Sequence, residues 1–261
     1  MGRERISDGV ININDGAYFL SLNSGNNTEV IVKGNANLLI TDLDKDSSLN
    51  ITLEKETNLV LSILSKESIE NLKITANIEE NASIDAYFAD FSKGKGNAIV
   101  TFNLNKERAK ANWHLASLAG DKDSKEFDVS IIHNVANTYG QSDNYGVCKD
   151  EARLVFSGVS SITKHAIKSK TYQNAKIMVF DEYSNGVAKP ILKIDENDIE
   201  ASHAAVVGKI NDDHLFYLTS RGLTDEQAKQ LITYGYLKPI LNGFDDDEVK
   251  AEINNLIEGR M

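Results

Sequence analysis

An all-β body followed by a short helical tail is the fold class this sequence predicts, and three observations carry it. Apolar residues come in short bursts that mostly alternate with polar ones, the two-residue period of a half-buried strand. The bursts begin every ~8–12 residues, separated by turn-forming stretches. After Leu218 the spacing becomes helical.

The bursts start with Val30-Ile31-Val32 and Leu38-Leu39-Ile40, then Leu49, Ile51 and Leu53, the run 59–64, Leu72, Ile74, Ala76 and Ile78, and Ala82, Ile84, Ala86 and Phe88. They continue through Ala98, Val100, Phe102 and Leu104, Ala111, Trp113 and Leu115, Phe127, Val129 and Ile131, and Ile177 and Val179. Between them lie Lys33-Gly34-Asn35, Asp44-Lys45-Asp46, Lys55-Glu56-Thr57-Asn58 and Glu79-Glu80-Asn81, residues that tolerate turn geometry. A sandwich, a barrel and a stacked solenoid share this spacing. No polar linker interrupts it, so residues 1–210 are expected to form one β body, with residues 1–28 a leading strand or a loosely held arm.

Residues 211–261 are expected to be a helical segment. Thr224-Asp225-Glu226-Gln227 is a capping box, and Ala228, Leu231, Ile232 and Tyr236 follow at helical spacing, with Gly235 a stop before Pro239. A second helix should begin near Asp245-Asp246-Asp247-Glu248, whose carboxylates suit the positive end of the helix dipole. Its apolar stripe would be Val249, Ile253, Leu256 and Ile257, and Gly259 would end it.

Composition narrows the function classes. In 261 residues, 41% are hydrophobic and only 2 are proline, which favours a packed core over disorder. The net charge of -11 disfavours nucleic acid. Cys148 is the single cysteine, which excludes an internal disulfide framework. The start, Met1-Gly2-Arg3-Glu4-Arg5-Ile6, has no apolar stretch for a signal peptide, and Ile6 stands where a myristoylation motif wants Ser or Thr. No apolar run reaches membrane-spanning length, so a cytoplasmic protein without membrane contact is expected.

The most informative segment is Ala201-Ser202-His203-Ala204-Ala205-Val206-Val207-Gly208, followed by Leu215-Phe216-Tyr217-Leu218-Thr219-Ser220-Arg221-Gly222-Leu223. It resembles the C-terminal signature of the SufB/SufD family, although the family's common glycine after Ser-His is Ala204 here. Lys193-Ile194-Asp195-Glu196-Asn197-Asp198-Ile199-Glu200 is similar to the family's acidic strand end, Lys189-Pro190-Ile191-Leu192 to its Pro-bearing strand, and Glu151-Ala152-Arg153-Leu154-Val155-Phe156-Ser157-Gly158 to an upstream segment. Together these span residues 134–241.

The resemblance implies a right-handed parallel β-helix core with C-terminal helices. It implies a non-enzymatic subunit of the SUF iron–sulfur cluster assembly complex that pairs through its β-helix with a SufB-like subunit or with itself. The helical tail would dock a SufC-like ABC ATPase, which consumes the ATP. SufB-type chains carry a cysteine near Tyr172-Gln173-Asn174-Ala175 and a glutamate-flanked histidine at Ala201-Ser202-His203; neither is present, which favours the SufD side. No cofactor would be bound permanently; iron or a cluster would be shared transiently with a partner.

His203 is then the candidate ligand, since neutral imidazole binds iron and neighbouring carboxylates would orient its other nitrogen. One histidine cannot hold a cluster, so a partner must supply thiolates. The plainer account is a hydrogen-bonded interface histidine. Leu215, Phe216, Tyr217, Arg221, Gly222 and Leu223 are the candidate ATPase-docking residues; Leu215, Phe216 and Leu218 also suit a plain core, whereas a fixed cation before a conformationally free glycine suits a docking surface.

Cys148, with Lys149 beside it, is a candidate thiolate, but a small buried residue following an Asn144-Tyr145-Gly146 turn is preferred. His114, His133 and His165 lie in strand-like stretches without metal-ligand spacing, and His214 lies in a polar turn, so these are assigned structural roles. The acidic run 245–248 lacks EF-hand spacing and Lys93-Gly94-Lys95-Gly96 lacks that of a phosphate loop. Three alternatives remain: a SufB-like scaffold that itself holds a nascent cluster, a β-helix polysaccharide lyase or hydrolase, and a purely structural solenoid.

Overall fold

The computed structural model describes residues 4–6, 9–25 and 27–261. Its first strands are β1 (Glu4–Ile6), β2 (Val10–Ile13), β3 (Gly16–Leu22), β4 (Asn27–Val32), β5 (Asn35–Leu43) and β6 (Asp46–Leu53). β7 (Asn58–Ser65), β8 (Ile69–Ile78), β9 (Ser83–Asp90), β10 (Lys95–Leu104), β11 (Lys110–Ala119) and β12 (Ser124–His133) continue the series. β13 (Tyr139–Cys148), β14 (Arg153–Ile162), β15 (Lys170–Val179), β16 (Asn185–Ile194) and β17 (Glu200–Lys209) complete it. Residues 4–6 and 9–25 are thus part of the stack, while Gly2, weighed above for acylation, lies outside the described residues.

Every pairing is parallel, and each strand pairs with those two before and two after it. Odd strands form a 9-stranded sheet and even strands an 8-stranded one. The chain therefore winds as a parallel β-solenoid, two strands to a turn, as the resemblance implies. The turn lengthens along the chain: Gly16 pairs with Ala36, Asn58 with Ser83 and Tyr139 with Lys170. One corner is built the same way in five successive turns. Glu56, Asn81, Arg108, Asn137 and Lys168 adopt left-handed backbone two residues before β7, β9, β11, β13 and β15.

The inward faces of both sheets make a continuous core that includes Leu38, Leu61, Phe88, Phe102, Trp113 and Phe127. Along one in-register column of the 9-stranded sheet the order is Leu38, Leu61, Ala86, Trp113, Ser142, Gln173, His203. The lumen thus changes from apolar to polar towards β17. Asn144 and Gly146 are not a turn but the middle of β13. Asn144 accepts a hydrogen bond from Trp113 Nε1 at 3.0 Å, and Gly146 leaves room for Leu154 and Phe156.

Three helices follow, not two: α1 (Asp212–Ser220), α2 (Asp225–Leu237) and α3 (Asp247–Glu258), with a 3-10 turn Lys238–Gly243 after α2. The Asn211 side chain accepts from the amides of Asp213 and His214 and so converts the expected polar turn into a helix start. The Thr224 capping box forms as its sequence requires. α2 runs through Gly235 and stops where Pro239 ends the α-helical ladder. Leu237, Ile240, Phe244, Ile253 and Ile257 pack on Leu39, Leu64, Ala89, Phe91, Ala116, Leu118 and Val147. The tail therefore lies against the outer face of the 9-stranded sheet.

Candidate functional site at the open end of the solenoid

The last turn of the solenoid is uncovered. β16 bonds only to β14 and β17 only to β15, so each presents an unpaired edge ten residues long. Pro190 sits on such an edge, where its missing N–H costs no ladder bond. Val206, Val207 and Ile191 are 56%, 44% and 45% exposed, apolar surface that a further turn would cover.

His203 lies in this end. It is the in-register partner of Gln173, which is buried, so the alternation of the strand puts the imidazole on the lumen side at an exposed position. Below it, Gln173 Nε2 donates to Ser160 Oγ at 2.7 Å and Thr171 bonds the same hydroxyl at 2.9 Å. The expected carboxylate partner does not materialise: no described residue hydrogen-bonds or ion-pairs with the His203 ring, and Glu200 is engaged by Lys170 and Tyr172. Among the described residues no three His, Cys, Asp or Glu side chains converge to hold a metal. His203 alone offers one nitrogen ligand, and any thiolates must come from elsewhere.

Cys148 is fully buried, its thiol on the Ala152 carbonyl at 3.3 Å, and burial pushes its pKa up to about 11. Lys149 is paired with Asp150 rather than with the sulfur. His114 sits in β11, stacked on Tyr87; burial holds its pKa low, against the pull of Asp143 and Asp85. His133 ends β12, and His165 is not in a strand but in a turn with left-handed backbone. The candidate histidines are not brought together.

The second candidate surface is α1. None of its residues is buried; Phe216 and Tyr217 are 73% and 56% exposed, and Leu215 is half-buried. Arg221 caps the helix and places its guanidinium 5.1 Å from the centre of the Tyr217 ring. Gly222 adopts φ +98°, the left-handed geometry its position was expected to need, and Leu223 leads into α2. The stretch 215–221 is thus accessible to another protein. The polar lumen beneath His203 is not among the features expected from the sequence; the inward positions of Ser142, Ser160 and Gln173 in the alternating pattern are the signal for it.

The sequence profile described as SUF system FeS cluster assembly, SufBD core domain, matches residues 16–236. The chain is 36% identical over 161 residues to the iron–sulfur cluster assembly protein SufD of Bacillus subtilis, covering 62% of this chain and 37% of that protein. It is 31% identical over 170 residues to the SufD of Escherichia coli, covering 64% of this chain and 40% of that protein. A SufBD family protein of Mycobacterium tuberculosis is 28% identical over 158 residues, covering 60% and 19%. The chain thus spans well under half the length of these curated relatives. No described helix is long and apolar enough to cross a membrane. A parallel solenoid with a helical tail, a profile match over most of its length and two SufD relatives make this chain a SufD-like member of the SufB/SufD family.

Proposed function

We propose that this chain is a non-catalytic subunit in iron–sulfur cluster assembly, and that it works as a two-sided adaptor. The open edges of β16 and β17 pair with a SufB-like subunit or with a second copy; α1 and the segment 221–223 dock a SufC-like ABC ATPase. His203 supplies one imidazole nitrogen to iron or a cluster, held as cargo between the two subunits. The observation that carries the proposal is the position of His203, lumen-facing yet exposed, on the last turn, where no further strand follows β16 and β17 in their sheets.

Edge pairing is favoured because a row of free N–H and C=O groups flanked by exposed Val206 and Val207 is a template for another strand. The SufD role is favoured over a cluster-holding scaffold because the only cysteine is buried and its thiolate disfavoured. Co-expression with an ABC ATPase and a SufB-like chain, followed by affinity capture, tests the adaptor. Capture of both partners is expected. A chain that binds neither, or that forms a stoichiometric cluster alone on anaerobic reconstitution, would overturn it.

A further inference from the structure

We propose that Arg260 is the positioning residue that latches the helical tail to the solenoid and thereby sets the attitude of the α1 docking face; the second half of this statement rests on the docking role given above.

The latch is a buried charge cluster at the corner where β9 and β11 end. Asp90 and Lys125 are 0% exposed, and Lys125 Nζ lies 2.6 Å from Asp90 Oδ2 and 2.8 Å from the Ser92 carbonyl. Ser92 and Ser117 hydroxyls complete the Asp90 carboxylate at 2.7 and 2.9 Å. Gly96 makes the space, since a Cβ there would meet Lys125 Cγ at 3.0 Å. Beside this pair, Asp123 accepts from the amides of Gly94 at 2.6 Å and Gly120 at 3.0 Å. Arg260, just beyond α3, closes the cluster: its guanidinium donates to Asp123 and to the carbonyls of Phe91 and Ser92. The Ser92 carbonyl thus serves both cations.

Apolar contact is non-directional and holds the tail against the sheet without fixing its angle. A forked guanidinium bound to one carboxylate and two carbonyls does fix an angle. Burying four charged groups is costly unless all are satisfied, and here all are, which suits a seat selected for geometry rather than for adhesion. α1 has no buried residue of its own, so it takes its orientation from α2, on which it packs and which α3 supports. Arg260 stands at the end of that chain of supports.

The experiment is amide hydrogen exchange on Arg260→Met, which keeps the stem and removes the fork, with Asp123→Asn as a second variant should the first misfold. About 100-fold faster exchange in α3 and α2, with β5 to β11 unchanged, is expected. Arg260→Lys, which keeps the charge, should recover part of the protection. Wild-type exchange across α2 and α3 in both Arg260→Met and Asp123→Asn would overturn the latch. Affinity capture of the ATPase by the same variants is read separately. Fast tail exchange with undiminished capture would leave the latch standing and remove α1 from docking.

Discussion

Gln173 and His203 are in-register partners on neighbouring parallel strands, so a buried amide forms the floor beneath an exposed imidazole. The residues in this column are apolar as far as Trp113 and polar from Ser142 on. A solenoid that needed only stability would keep stacking apolar side chains, as the first turns do. The polar floor places His203 at the rim of a hydrogen-bonded surface.

His203→Ala should therefore leave fold and partner capture intact while cutting cluster yield. The side chain is exposed and bonded to no described residue, so the stability change should stay within about 0.5 kcal/mol. Thermal unfolding and cluster absorbance on the captured complex measure both. A normal cluster yield would remove His203 from the mechanism.

Much of this architecture was legible in the sequence. Leu49, Ile51 and Leu53, like Leu72, Ile74 and Ala76, alternate with polar residues because each strand has one face in the lumen, and the Thr224 cap marks α2 unaided. The solenoid itself was not legible from periodicity, because its repeat drifts from the Gly16–Ala36 spacing to the wider Tyr139–Lys170 spacing. Asn144 and Gly146 read as a turn because the inward positions of β13 hold polar and small residues, and only neighbouring strands explain them. α1 was hidden by the same ambiguity: Asn211-Asp212-Asp213 suits a turn and a helix cap equally.

Val207→Lys should weaken strand pairing at the open end. Val207 follows the lumen-side register of Ile177 and is 44% exposed, so a lysine there reaches water in the free chain but is trapped when a second chain covers the edge. Subunit affinity should fall at least about tenfold, with little change in unfolding temperature. Sedimentation of the wild-type and variant complexes checks this.

His133 should make the fold acid-sensitive in a defined window. It is fully buried, its Nδ1 is on Thr138 Oγ1 at 2.7 Å, and burial lowers its pKa from 6.5 to about 4. Above about pH 6.5 the ring is neutral in both states and stability does not vary through this group. Below that, the unfolded chain takes up a proton that the folded chain refuses, so stability falls by up to about 3 kcal/mol as the pH drops to about 4. His133→Leu should flatten that slope, read from urea unfolding at several pH values, because the Thr138 hydroxyl keeps its bonds to Val135 and Ser169.

Arg221→Glu should abolish ATPase capture without unfolding the solenoid. The guanidinium lies over the exposed Tyr217 ring and makes no ion pair with a described residue, so little folding energy depends on it. Reversal replaces a cation beside an aromatic face with an anion, which removes the cation–π contact and repels any carboxylate the partner presents. Because Arg221 also caps α1 through its backbone, which the substitution leaves in place, the helix should persist in circular dichroism. Phe216→Asp, at a side chain 73% exposed, should have the same effect on capture by taking away apolar contact instead of charge. Capture retained by both variants would mean that the ATPase binds elsewhere on this chain or not at all.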